Sequence, residues 1–369
     1  MPNLFGKSYT KSEIMQRVGN IDQIGGAKKL MLTEGNTAGI EAIEFRNGNG
    51  LDFTVLAGRG LDISEASYRG QSLCWRSHTG DVAAAYYDSL GFQWLRNFYG
   101  GLMLTCGMSW AGAPCKEDDE CLEGFNGYLG IHGHVSNTPA KNVCVDGEWQ
   151  GDDYVYWVQG KVTEAQVFAT NLELTRKIVG KLGENTIRVY DRVENKGWSK
   201  QDHMYLYHCN LGFPLIEGGT EYLFPAKSTT PRTELASKHI DTWREFPAPT
   251  KDQEEWVYYH DLGADADGHT MAAFVNREHD GGKGFGISFK WDKKVMPYFI
   301  QWKMPAQGTY VTGLEPANCH VDSRVLDREE GRLVVLEPGE AREYFLEINV
   351  LTNQEEITAT EALVRKLMA

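Results

Sequence analysis

Leu172-Glu173-Leu174-Thr175-Arg176-Lys177-Ile178, then Gly183-Glu184-Asn185, then Ile187-Arg188-Val189-Tyr190-Asp191-Arg192-Val193 is the stretch that decides the fold class. Apolar residues recur at alternate positions on both sides of a glycine turn, which is the period of a strand with one buried face. The segment therefore reads as a β-hairpin. Upstream, Ile43 and Phe45, the turn Asn47-Gly48-Asn49-Gly50, and Leu51, Phe53 and Val55 repeat the pattern. Downstream, Leu333 and Val335, the turn Glu337-Pro338-Gly339-Glu340, and Tyr344, Leu346, Ile348 and Val350 read as a third hairpin.

Helix is expected near the two ends. Thr10-Lys11-Ser12-Glu13 has capping-box spacing ahead of Ile14, Val18 and Ile21. Asn353 can cap a tail helix with Glu356 three residues on; Ile357, Leu363, Val364 and Leu367 give it an apolar side, and Arg365 and Lys366 suit the C-terminal end of its dipole. Closely spaced strands, little helix and 40 glycines predict an all-β sandwich or barrel, with residues 1–369 forming one domain. No fixed-period repeat is visible, which argues against a propeller.

Composition narrows the function. Lys plus Arg number 37 against 51 for Asp plus Glu, a formal charge of −14. Such a surface repels polyanions, so neither nucleic acid nor an anionic membrane is an expected partner, and a small molecule is easier to accommodate. No apolar run is long enough to span a bilayer, and Met1-Pro2-Asn3-Leu4 does not open a signal peptide, so a cytoplasmic location is expected. The seven cysteines are scattered without a Cys-x-x-Cys pair, neither a disulfide framework nor a zinc pattern. No glycine fingerprint for a dinucleotide follows a strand.

Four segments place polar residues where a strand or turn would be plain. In Gly58-Arg59-Gly60-Leu61-Asp62, flanking glycines let a ligand approach, so Arg59 either points into a pocket or pairs with Asp62 on a surface bulge. In Ile131-His132-Gly133-His134, two histidines at period two share a face if the stretch is a strand, the spacing of a cupin metal site. A cupin needs a glutamate soon afterwards; here Thr138 and Pro139 follow and the next is Glu148, leaving His132 as a turn residue or a partner for sugar hydroxyls. In Met204-Tyr205-Leu206-Tyr207-His208-Cys209-Asn210-Leu211-Gly212, His208 and Asn210 share a face with Leu206, while Tyr205, Tyr207, Cys209 and Leu211 point the other way. That polar face either lines a cleft or forms a buried hydrogen-bond network. Finally, in Gln301-Trp302-Lys303-Met304 through Gly313-Leu314-Glu315-Pro316-Ala317-Asn318, Glu315 reads as a carboxylate held at a strand end before a proline. Trp302, Tyr310 and Leu314 would desolvate it and raise its pKa towards that of a general base, against the bland alternative of a solvated side chain.

Tyr207-His208-Cys209-Asn210-Leu211-Gly212 resembles the strand of aldose 1-epimerases that carries a catalytic histidine, and Gly313-Leu314-Glu315-Pro316-Ala317-Asn318 resembles their late glutamate segment. His132-Gly133 is similar to their His-Gly element. The order is right, and Arg59-Gly60-Leu61-Asp62, Thr105-Cys106-Gly107 and His132-Gly133 look most like a divergent branch of the galactose mutarotase-like superfamily. The resemblance implies a β-supersandwich of large twisted antiparallel sheets that binds sugar on a concave face. It also implies that Glu315 takes the proton of the anomeric hydroxyl while His208 donates to the ring oxygen. The expected sugar contacts are Arg59, His132, Asn210, Gln301, Lys303 and Asn318. Such proton transfer needs no cofactor and no metal. A small-molecule sugar is thus the expected partner, with a homodimer allowed for.

This sequence also departs from the family. Arg59 does not match the position of the family's arginine, His134 stands where another polar residue is expected, and in place of the family's Asp-Phe-Arg there is only Asp241-Thr242-Trp243-Arg244. The competing readings are a non-catalytic sugar-binding protein, a metal-dependent sugar isomerase, and a lyase or hydrolase on a related sandwich.

Overall fold

The computed structural model describes residues 1–118, 121–124 and 126–368. Its three main sheets are entirely antiparallel and, with only a few short helices, form the expected β-sandwich. The largest has nine strands in the order Lys141–Gln150, Asp153–Ala165, Asn171–Lys181, Thr186–Asn195, Ala341–Leu351, Phe285–Asp292, His269–Asn276, Thr220–Leu223 and Glu245–Phe246. A seven-stranded sheet runs Ala226–Pro231, Trp256–Leu262, Tyr298–Ala306, Thr309–Ala317, Gln201–Leu211 and Val334–Leu336, with Leu104–Met108 also paired to Gln201–Leu211. Five N-terminal strands between Gly26 and Ser72 make the third.

Alternation explains the layering. Leu172, Leu174, Ile178, Ile187, Val189 and Val193 are all buried, and they meet Phe45, Phe53 and Val55 of the five-stranded sheet and Tyr205, Tyr207, Leu211 and Leu314 of the seven-stranded sheet in one core. Each fully buried aliphatic side chain contributes about 1.5–3 kcal/mol. A second apolar cluster covers the opposite face of the seven-stranded sheet, where Met204, Leu206, Val257 and Ile300 pack with Trp94, Phe98, Leu104 and Cys106. The seven-stranded sheet is thus buried on both sides.

The first two hairpins form as read, with Phe45 opposite Phe53 and Ile178 opposite Val189. The third does not. Val334–Leu336 pairs with Gln201–His203, whereas Ala341–Leu351 joins the nine-stranded sheet beside Thr186–Asn195. Asn195 is the reason: its N–H donates to Glu340 C=O at 2.9 Å, its C=O accepts from Gly339 N–H at 2.9 Å, and its side chain donates to Leu336 C=O at 3.0 Å. The turn is thereby held to another strand, and its two arms separate into different sheets.

Both caps are present. Asn353 accepts from Glu356 N–H at the start of Gln354–Leu367, and Thr10 and Glu13 form the capping box. The first helix spans only Lys11–Met15, and Ile21 belongs to a separate turn, Ile21–Gln23, capped by Asn20. No helix among the described residues is long and apolar enough to cross a membrane.

Candidate active site

The site lies on the outer face of the seven-stranded sheet. The register that pairs Leu206 with Ala317 and Cys209 with Leu314 sets His208 directly across from Glu315. Glu315 is not at a strand end: Thr309–Ala317 continues past it, and its ladder to Tyr298–Ala306 is unbroken through Pro316 and Ala317. Pro316 lacks an N–H to give to the histidine strand, so the proline opens the ladder on that side alone.

His208 Nε2 approaches Glu315 Oε1 to 3.3 Å, and both side chains are buried. The contact lacks hydrogen-bond alignment, and among the described residues Glu315 Oε1 has no hydrogen-bond partner, nor do the Nδ1 atoms of His208 and His132. The His132 ring stands edge-on to His208 at 5.9 Å and leans on Trp94 at 4.9 Å; Phe98 and Trp302 flank His208 at 5.2 and 5.4 Å. Above them opens a cavity of about 360 Å³ bordered also by Ile131, Arg232, Glu255, Val257 and Val321. A larger hollow of about 570 Å³ near Leu4, Tyr9, Ile14 and Val18 brings no histidine to a carboxylate.

Burial sets the charge states. It pushes the Glu315 carboxyl well above the usual range, helped by the like charge of Glu255 and opposed by Arg232. It lowers His208 to about 4, against a smaller opposing contribution from Asn210. It lowers His132 to about 3, with His208 and Arg232 adding to the effect. Burial thus favours the uncharged form of all three groups, the Glu315 carboxyl and the two imidazoles.

Gly313 explains how the groups fit. A Cβ there would lie 2.5 Å from Glu315 Oε1 and 3.2 Å from both His208 Cε1 and Trp302 Cε3. Glycine leaves the floor on which carboxyl and rings rest.

The residues expected around a sugar separate into two groups. Glu315, His208 and His132 converge on the cavity. Asn210 shares the strand face with His208 but turns its amide to Gly101 C=O and His208 C=O, leaving Oδ1 unpaired. Arg59 is not in the cleft and does not pair with Asp62; it is fully buried and donates to the carbonyls of Ser136, Val82 and Asn97. Gln301 and Lys303 alternate with Trp302 and so face the other way. Gln301 binds Trp243 C=O and His260, and Lys303, lowered by burial to about 7, donates to the carbonyls of Thr242, Trp243 and Glu245. Asn318 accepts from Tyr205 N–H at 2.6 Å and donates to His203 C=O and Tyr344.

His132 and His134 do not share a strand face. His132 has a φ of 62°, which sends His134 away to Trp110 and Tyr87. Among the described residues the only grouping of three candidate metal ligands is Asp265, Asp267 and His269 in a separate loop. Arg232 and Glu255 were missed by sequence reasoning. Arg232 Nε donates to Asp322 at 2.7 Å and Trp302 Nε1 donates to Glu255 at 2.7 Å, so each is fixed at the cavity mouth. Neither sits in a motif. The one available signal was Gly313, a glycine inside a strand next to a carboxylate.

Solved structures of other proteins share this fold. A Klebsiella pneumoniae protein provisionally named an aldose 1-epimerase matches with a TM-score of 0.88 at 26% identity, over 95% of this chain and 91% of its own. A galactose mutarotase-like protein from Clostridium acetobutylicum matches at 0.57 and 14% identity over 89% of this chain and 99% of its own. Galactose 1-epimerase from Lactobacillus acidophilus matches at 0.56 and 12% identity over 89% and 100%. The last two share the fold alone, which is the galactose mutarotase-like one. No curated protein matches the chain in sequence. A family model covers residues 37–350, and the chain belongs to that family, described as a domain of unknown function, DUF4432.

Proposed function

We propose that the protein is an aldose 1-epimerase-like isomerase that interconverts the anomers of a sugar, with the whole chain serving as one carbohydrate-binding domain. The observation that carries this reading is the buried His208–Glu315 pair at 3.3 Å, at the floor of a cavity large enough for a sugar ring. The match to the Klebsiella pneumoniae protein supports it.

One proton is the right inventory for this reaction. Ring opening removes a proton from O1 and delivers one to the ring oxygen as the C1–O5 bond breaks and a C1=O1 carbonyl forms. Rotation about C1–C2 and the reverse transfers close the ring on the other face. When a sugar hydroxyl enters beside Glu315 and can solvate its ionised form, the carboxyl proton passes to His208. Glu315 then takes the O1 proton and His208 protonates the ring oxygen. The pair ends opening with the proton count it began with, so it is ready to catalyse closure. His132, with Nδ1 unpaired, is placed to meet a hydroxyl of the ring.

The seven cysteines are all free, which supports work in a reducing compartment such as the cytoplasm. The test is proton NMR of freshly dissolved single anomers. Acceleration over buffer that is lost in Glu315→Gln supports the reading, and acceleration that persists at the wild-type rate in that variant removes it.

A further inference from the structure

Resting on the epimerase reading, we infer that the substrate is a neutral 6-deoxyhexose, a sugar with a methyl group where a hexose carries its outer hydroxymethyl. The cleft offers few polar partners. Among the side chains of its described lining residues only His132, His208, Arg232, Glu255 and Glu315 bring uncommitted polar atoms, because the indole N–H groups of Trp94 and Trp302 are already given to Ser136 and Glu255. His208 and Glu315 are occupied with the ring oxygen and O1. That leaves His132, Arg232 and Glu255 for the remaining hydroxyls, and a hydroxyl placed against the aliphatic part of the lining, away from these three, would be buried without a side-chain partner.

The place for the missing hydroxyl is an aliphatic corner made by Ala113, Ile131 and Val321. Its walls are tied together: Ala113 N–H donates to Val321 C=O at 3.0 Å, and His132 N–H donates to Gly112 C=O at 3.0 Å. A Cβ on Gly112 would come within 2.7 Å of the Val321 carbonyl carbon, so the two loops are already in contact. No side chain of this corner can donate to or accept from a hydroxyl, while a methyl would fill it. Only the outer carbon of a hexose can present a methyl. Charge points the same way: among the described lining residues Arg232 is the one Lys or Arg, and Asp322 already pairs with it at 2.7 Å. A phosphorylated sugar would meet Glu255 and Asp322 at the mouth.

The experiment uses matched pairs, D-galactose with D-fucose and L-mannose with L-rhamnose, each dissolved as one anomer with the full-length protein and followed by proton NMR, with galactose 6-phosphate alongside. The deoxy member of at least one pair is expected to show a kcat/KM about 10–100-fold above its parent, the discrimination an apolar pocket achieves. Val321→Thr keeps the shape and adds a hydroxyl partner, so it should narrow that ratio by raising the parent hexose. Equal or better turnover of the parents, preference for the phosphate, or an unchanged ratio in a folded Val321→Thr protein overturns the inference and leaves the epimerase reading intact. No acceleration of any sugar by folded protein removes both.

Discussion

One strand, Gln201–Leu211, separates two buried polar clusters of opposite character. On its inner side Arg176 makes a bidentate pair with Asp191 at 2.8 and 2.7 Å and reaches Asp62, Thr105 and Tyr205, while Tyr205 and Tyr207 both donate to Asp191. Only Asp62 Oδ2 lacks a partner there. On its outer side His208 and Glu315 are buried and His132 is half-buried, yet each keeps a buried polar atom without a hydrogen-bond partner among the described residues. The strand's own histidines repeat the contrast, since His203 meets Met108 C=O at 2.8 Å and Tyr344 at 2.7 Å, whereas His208 Nδ1 meets nothing. A satisfied buried network fixes one sheet against another. An unsatisfied one pays desolvation in the free protein and recovers it when a ligand supplies the partners.

The comparison breaks first at Arg176. Arg176→Met leaves Asp191 and Asp62 buried without their cation, and should cost about 3–5 kcal/mol in a urea titration. The remaining folded fraction should keep its kcat. Loss of kcat without loss of stability would place Arg176 in the catalytic machinery.

Glu315→Gln should do the reverse. It is expected to lower kcat by about 10²–10⁴-fold with a smaller change in KM, and His208→Asn should match it. The double variant should be little worse than the poorer single, because groups that act together have little to contribute apart. Neither variant should lower the urea midpoint as Arg176→Met does.

Gly313→Ala sharpens the contrast by moving the carboxyl without removing it. The added Cβ would lie 2.5 Å from Glu315 Oε1, so the carboxyl must shift. A displacement of this order is expected to cost about 10²-fold in kcat. The strand conformation suits alanine, but the approaches of 3.2 Å to His208 Cε1 and Trp302 Cε3 should cost about 1–3 kcal/mol of stability. A variant as active as the wild type would show that the floor is not rigid.

Smaller still is His132→Ala, which should weaken sugar binding by about 1–3 kcal/mol through an unmet hydroxyl, read in KM or by calorimetry. Unchanged affinity with reduced stability would assign His132 to the structural class.

How much of this was legible follows from the same physics. Strand parity is local, so the two faces of Tyr205–Leu211 could be read from alternation, whereas the opposition of His208 to Glu315 depends on the register of two distant strands and was implied by the family resemblance alone. The same parity, applied from Trp302, would have turned Gln301 and Lys303 away from the cleft. The positions of Arg59 and Asn318 could not be read, because each is satisfied by backbone from distant segments. The third hairpin failed because Asn195 holds its turn. His132 and His134 diverge because one residue adopts a left-handed backbone, which the sequence Ile131-His132-Gly133-His134 does not announce.

The pH dependence of stability reports where the proton of the His208–Glu315 pair rests. Burial lowers His208 to about 4 from an ordinary 6.5, so as pH falls through that window the unfolded chain takes a proton that the folded chain refuses. Stability from this group is full above about 6.5 and is lost as pH falls toward 4, at up to about 1.4 kcal/mol per pH unit. Glu315 acts in the opposite sense: its raised pKa stabilises the fold below about 4.5, and that contribution is lost as pH rises. His208→Asn should therefore flatten the acid side of a plot of unfolding free energy against pH, while Glu315→Gln should gain on the wild type as pH rises above about 4.5. His203, lowered to about 4 by the same burial, provides the control, because His203→Asn should flatten the same window but also lose stability at pH 7 through the broken contacts to Met108 and Tyr344. If His208→Asn leaves the slope unchanged, His208 keeps its proton in the folded protein. The resting pair would then be an ion pair already set for ring opening.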